Sequence, residues 1–196
     1  HKRHDAVDED LLRGWLIAVP AGAVLASAAA AYMSSGMLRA VFAVVCILIA
    51  LKLLLGKDSW RLGKELPGNP LKALVGTAIG FLSTLMGIGG GVLNNTFMTA
   101  YGRPIHQAVA TSAGIGMLIA IPGFLGYIWA GWGQAGLPPF STGYVNWLAV
   151  ALLIPMSIIV TPYGVKTAHA LPKRRLELLL GAYLVFVAAR FGWSLL

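Results

Sequence analysis

Six apolar stretches divide the chain: Leu12–Met33, Met37–Leu55, Leu71–Ala100, Ala108–Ala130, Tyr144–Thr161 and Leu176–Leu195. Most lie near the roughly 20 residues that a helix needs to cross the hydrocarbon of a bilayer. Runs of this length leave little choice of fold, because in lipid every backbone N–H and C=O must be paired within the protein. With 58% hydrophobic and 11% charged residues among 196, the chain reads as an all-α, polytopic membrane helical bundle.

The third stretch is the exception. It is cut by Gly-Ile-Gly-Gly-Gly at Gly87–Gly91 into a full-length piece, Leu71–Met86, and a half-length one, Val92–Ala100. Each glycine costs about 1 kcal/mol against alanine in a helix interior, so four of them work against about 4. A break inside the membrane is tolerated only where the freed backbone lines a cavity or is buried in protein.

The charge pattern gives the topology. The net charge of +8 comes from 15 Lys and Arg that sit in short clusters between apolar runs, which fits cytoplasmic loops and argues against a nucleic-acid partner. Lys2, Arg3 and Arg13, then Lys57, Arg61, Lys64 and Lys72, then Lys166, Lys173, Arg174 and Arg175 mark three basic regions, whereas the linker Gly131–Gly143 has no charge. From the second basic region to the third, three single crossings end on the wrong side. Parity returns if the glycine-broken stretch enters and leaves on the same side, as a re-entrant hairpin.

An internal echo points the same way. Leu16–Leu25 followed by Met37–Leu55 resembles Ala151–Val160 followed by Arg175–Phe191, aligning Pro20 with Pro155. The two copies run in opposite directions across the membrane, an inverted repeat of the kind used by secondary transporters. Residues 1–70 then form the second part of a first repeat, with two transmembrane helices, and residues 71–196 a complete second repeat with the re-entrant segment and three transmembrane helices. The first copy lacks its own glycine segment, and the opening "HKRHDAVDED" reads as an inter-helix loop entered midway, so the chain is expected to be truncated at its N-terminus.

The start of the second half-helix presents free N–H groups and the positive end of a helix dipole, and consecutive glycines let an anion come close to them. Ser83 and Thr84 precede the break, Asn94, Asn95 and Thr96 follow it, and Thr111 and Ser112 lie on the next helix. Hydroxyls and amides donate hydrogen bonds to an oxyanion without the desolvation cost of a buried cation. The expected substrate-binding set is therefore Gly87, Gly89, Gly90, Gly91, Ser83, Asn94, Asn95, Thr111 and Ser112. The competing explanations are structural: Gly76-x-x-x-Gly80 is a helix-packing pattern, and each Ser or Thr has its own helix carbonyl to bond. No Asp, Glu, Lys or Arg stands at the middle of a stretch, which disfavours a carboxylate proton relay. His106 and His169 border linkers and read as surface residues. No nucleophile–base pair or metal-ligand spacing is present, and the single cysteine, Cys46, excludes an internal disulfide or thiolate metal site, so no enzyme, metal or cofactor is expected.

The stretches Gly87–Trp132 and Leu137–Leu171 closely resemble the sulfite exporter TauE/SafE family of membrane permeases. The family's Gly-x-Gly-Gly-Gly motif is matched by Gly87, Gly89, Gly90 and Gly91, its Ala-x-x-Thr-Ser element by Ala108, Thr111 and Ser112, and its Gly-Tyr-Val-Asn stretch by Gly143–Asn146. The resemblance implies a multi-pass protein of the bacterial inner membrane that moves sulfite, sulfonates or related sulfur oxyanions, with a small anionic substrate and the lipid bilayer as its partners; a homo-oligomer is compatible with it. One departure stands out. Where the family usually carries a proline, this chain has Thr96. The alternative from another class is a non-transporting membrane scaffold or assembly subunit whose glycines only pack helices.

Overall fold

The computed structural model describes residues 7–56, 63 and 66–193; the side chains of 105, 165, 166, 168–170 and 173 are outside the described set. Lys2, Arg3, Lys57, Arg61 and Lys64 of the basic clusters lie outside the described residues, as do the side chains of Lys166, His169 and Lys173. The described chain is helical: α1 (Glu9–Trp15), α2 (Ala18–Tyr32), α3 (Ser35–Leu55), α4 (Asn69–Met86), α5 (Gly91–Ala100), α6 (Ile105–Ala130), α7 (Trp147–Ala170) and α8 (Lys173–Trp193). One small antiparallel hairpin, β1 (Ser141–Thr142) with β2 (Val145–Asn146), precedes α7. Helices α3, α6, α7 and α8 are each long and apolar enough to cross a membrane, and α1 with α2, bent by 42°, counts as a fifth when the pair is taken as one span. The α4–α5 pair is not among them.

Two compact units form. The first holds α1, α2, α4, α5 and α6, and the second holds α3, α7, α8 and the hairpin. In the first unit, α2 lies against α4 at backbone distance: a Cβ at Gly22 would collide with the carbonyl of Thr77, and one at Gly80 with the carbonyl of Val19. Since lipid tails are as apolar as the helices, such close approach is what holds them together. Gly76 has the Trp15 ring on it, 2.6 Å from where a Cβ would stand. The Gly76-x-x-x-Gly80 pattern is thus a packing stripe.

The hairpin of α4 and α5 returns to the end from which it started. Lys72, in the first turn of α4, donates from Nζ to the carbonyl of Asp10 at 2.6 Å, and Arg103, just past α5, pairs through Nε with the carboxylate of Asp8 at 3.4 Å. Asp8 and Asp10, at the start of α1, therefore touch both feet of the hairpin.

In the second unit, α3 and α8 run antiparallel. Phe42 stacks on Phe191 at 4.9 Å near one end, and at the other Arg174 donates to the carbonyls of Leu53 and Leu54 at 3.0 and 2.7 Å. A guanidinium there satisfies carbonyls that a helix end leaves open and complements its dipole. Helix α7 extends past Thr161, where the apolar stretch stops, through Pro162 to Ala170. Proline deletes one N–H there, and on either side of it the hydroxyls of Thr161 and Thr167 back-bond the carbonyls of Ser157 and Tyr163.

Two outcomes check this architecture. Gly22→Ala should lower stability in detergent by about 1–3 kcal/mol, the usual cost of overpacking a tight contact, seen as a fall in the thermal midpoint. In a Cys46→Ser background, cysteines at Asn69 and His106 should react with an impermeant reagent from one side of the membrane and a cysteine at Gln134 from the other; opposite sides for Asn69 and His106 would sink the hairpin.

Candidate functional site

Helix α4 ends in a Schellman-type turn. Gly87, at φ 65°, directs its N–H to the carbonyls of Ser83 and Thr84, and the N–H of Ile88 reaches Ser83 O at 2.9 Å. Helix α5 then starts from Gly90, at φ 72°, with no side-chain cap, so the N–H groups of its first turn have no acceptor in the helix or from a capping residue. Left-handed backbone at both positions is why glycine is needed there.

The remaining glycines of the motif do something else. Around Gly89 and Gly91 a Cβ would meet nothing within 4 Å, nor would one at Gly87, among the described residues. Gly90 is packed, with Ile119 Cδ1 at 2.5 Å and Ile115 Cγ2 at 3.4 Å from the Cβ position. One side of the loop is thus seated on α6 while the other is open.

Ser83 and Thr84 lie beneath this loop, 1% and 4% exposed, and neither hydroxyl has a hydrogen-bond partner. Ser83 Oγ stands 3.6 Å from the Cβ position of Gly90. The usual helix back-bond is made elsewhere: Ser27 bonds Ala23 O at 2.7 Å and Thr99 bonds Asn95 O at 2.6 Å. The two hydroxyls beside the break make neither this bond nor any other. The carbonyl of Thr84 is held instead by the Tyr127 hydroxyl at 2.9 Å, which ties the loop's base to α6.

One turn into α5 a second group forms. The fully buried Asn94 donates from Nδ2 to Ser112 Oγ at 2.7 Å, and Ser112 Oγ donates to Asn95 Oδ1 at 2.7 Å. Asn94, Asn95 and Ser112 thereby clamp α5 to α6. Thr111 is also fully buried but turns away from this clamp, and its Oγ1 accepts the N–H of Asp8 at 2.9 Å. Of the residues expected from the sequence, Ser83 and Gly87–Gly91 come together at the loop, Asn94, Asn95 and Ser112 form the clamp, and Thr111 anchors α1. His106 is exposed in the first turn of α6.

Sequence reading missed Asp8 and Arg103. Asp8 is 7% exposed, its Oδ1 caps α1 through the N–H of Leu11, and its Oδ2 faces Arg103. The one signal available was an Asp three residues before an apolar Leu, an N-cap spacing, in a segment read as loop.

The family model of the sulfite exporter TauE/SafE matches residues 1–191. The chain belongs to this family. A probable membrane transporter protein of Haemophilus influenzae is 34% identical over 150 residues, covering 76% of this chain and 56% of that protein. A probable membrane transporter protein of Methanocaldococcus jannaschii is 32% identical over 112 residues, covering 57% of this chain and 40% of that protein. The chain spans about half the length of these curated relatives. No solved structure matches it. Membership and the apolar helices together make this TauE/SafE chain a multi-pass membrane protein of a transporter family.

The clamp carries its own expected outcome. Ser112→Ala removes the middle of the relay and leaves two amides short of a partner, which should cost about 1–3 kcal/mol, read as a lower melting point, whereas Thr96→Ala should be close to neutral.

Proposed function

We propose that this TauE/SafE chain belongs to a permease for small oxyanions, sulfite, sulfonates or related sulfur oxyanions, in the bacterial inner membrane, and that the Gly87–Gly91 loop is its binding element. One observation carries the reading: two buried hydroxyls without partners stand beside a capless helix start. Ser83 Oγ and Thr84 Oγ1 are unpaired, and the first turn of α5 offers free N–H groups. All of these are donors, and a half-helix start adds positive potential. An oxyanion has only acceptors to offer on most of its surface, so the chemistry is complementary.

The clamp group is less suited to that role. The free atom of Asn94 is its Oδ1, an acceptor, which repels an anion. Asn94, Asn95 and Ser112 therefore fix the angle of α5, and the loop with Ser83 holds the substrate. The inverted repeat is supported by α3 and α8, which correspond in the sequence echo and pack antiparallel. The scaffold alternative accounts for Gly22, Gly76 and Gly80 but gives no reason for glycine at 89 and 91, where a methyl group meets open space.

Purified protein in proteoliposomes, assayed for uptake of labelled sulfite and a panel of sulfonates, tests this directly. Gly89→Ala and Gly91→Ala should leave the melting point unchanged and lower flux about tenfold or more, the scale of losing a charge-assisted hydrogen bond to the ligand. Gly90→Ala should instead lower stability by about 1–2 kcal/mol, because alanine resists the left-handed region. Ser83→Ala should reduce flux without reducing stability, since it deletes a buried hydroxyl that bonds nothing. Unchanged flux in Gly89→Ala, Gly91→Ala and Ser83→Ala together would return the glycines to a packing role.

A further inference from the structure

We infer that α1 is a hinged plug, latched by the Asp8–Arg103 ion pair, that closes the α5–α6 side of the first unit. The inference takes its purpose from the permease reading, but its geometry stands apart from it. Leu11 and Trp15 are fully buried and enter one apolar cluster with Ile79, Met98, Ala108, Ile115 and Ile119. Ile115 and Ile119 are the side chains against Gly90. The cluster thus fills the space between α1 and the glycine loop, an apolar seal of the kind that gates by excluding water.

What holds α1 down is polar and peripheral. Asp8 pairs with Arg103, its N–H is accepted by Thr111, Trp15 donates from Nε1 to Lys72 O at 2.7 Å, and Lys72 donates to Asp10 O. The Arg103 side chain is 42% exposed and that of Asp8 only 8%. An anion or water can therefore reach the cation while the carboxylate stays under cover. The hinge is the break after Trp15, where α1 meets α2 at 42°. Beside it lies an apolar cleft of about 380 Å³ lined by Leu12 and Leu16 on one side and by Gly114, Met117 and Ile121 on the other.

The test reads opening without any flux. In a Cys46→Ser background the full chain, in lipid nanodiscs, carries either Ala108→Cys, inside the seal, or Ala130→Cys, at the far end of α6, and the rate of reaction with a charged methanethiosulfonate is measured. Asp8→Asn keeps an acceptor for the α1 cap and removes the charge, and Arg103→Gln removes the other partner. Each should speed labelling of Ala108→Cys about tenfold or more, the scale of one charge-assisted hydrogen bond, and leave Ala130→Cys unchanged, while Arg103→Lys stays near the parent rate. Unchanged labelling of Ala108→Cys in both variants would show α1 to be a fixed anchor, and faster labelling at both reporters would show general loosening; either result overturns the plug. A protein that shows the local opening yet carries no oxyanion would overturn the permease reading and keep the plug.

Discussion

A peptide group without a partner in hydrocarbon costs several kcal/mol, and the bend between α4 and α5 is arranged around that penalty. In the last turn of α4 the carbonyls of Ser83 and Thr84 are taken by the N–H groups of Gly87 and Ile88 and, at Thr84, also by the Tyr127 hydroxyl. The N–H groups at the start of α5 are left without an equivalent. The break is therefore uneven: the carbonyls of Ser83 and Thr84 are taken, while the first-turn donors of α5 have neither a helix acceptor nor a capping side chain. The backbone contact of Gly22 and Gly80 keeps α4 pressed on α2, and the amide–hydroxyl relay keeps α5 on α6, so the loop is held from both sides.

Glycine serves two opposed purposes within fifteen residues of α4 and its loop. At 76 and 80 it lets another group come within reach of the helix axis, and that group is part of the protein. At 89 and 91 the same lack of a side chain faces open space. The residue type is identical and the consequence differs, because what decides it is whether a neighbouring element has already filled the approach.

That distinction was beyond sequence reading, as were most contacts between distant residues. The apolar stretches and the break at Gly87–Gly91 were legible, since spanning length and a run of glycines are local or countable. The division of the polar cluster was not: Thr111 and Ser112 are neighbours in sequence, yet a turn of 100° per residue sends one to Asp8 and the other to Asn94 and Asn95. Helix α1 was hidden for a related reason. Seven residues that open on Glu9 and Asp10, with Asp8 just before them, look like a loop, and their burial depends on a partner 103 positions from Asp8. The apolar run also understated α7, which continues past Thr161 through Pro162 to Ala170, because a helix does not end where its residues turn polar.

The bend between α1 and α2 also sets how much membrane the first span can match. Helix α2 has 15 residues, which reach about 22 Å at 1.5 Å per residue, against roughly 30 Å of hydrocarbon in an average bilayer. The shortfall is made up by α1, whose axis is tilted away and whose first turn carries Glu9 and Asp10. How far α1 makes up the difference depends on the angle of that bend, and any remaining mismatch is met by tilt of the span or by local thinning of the lipid. Bilayer thickness becomes a load on the first unit, and acyl-chain length is a variable to which this fold is mechanically coupled.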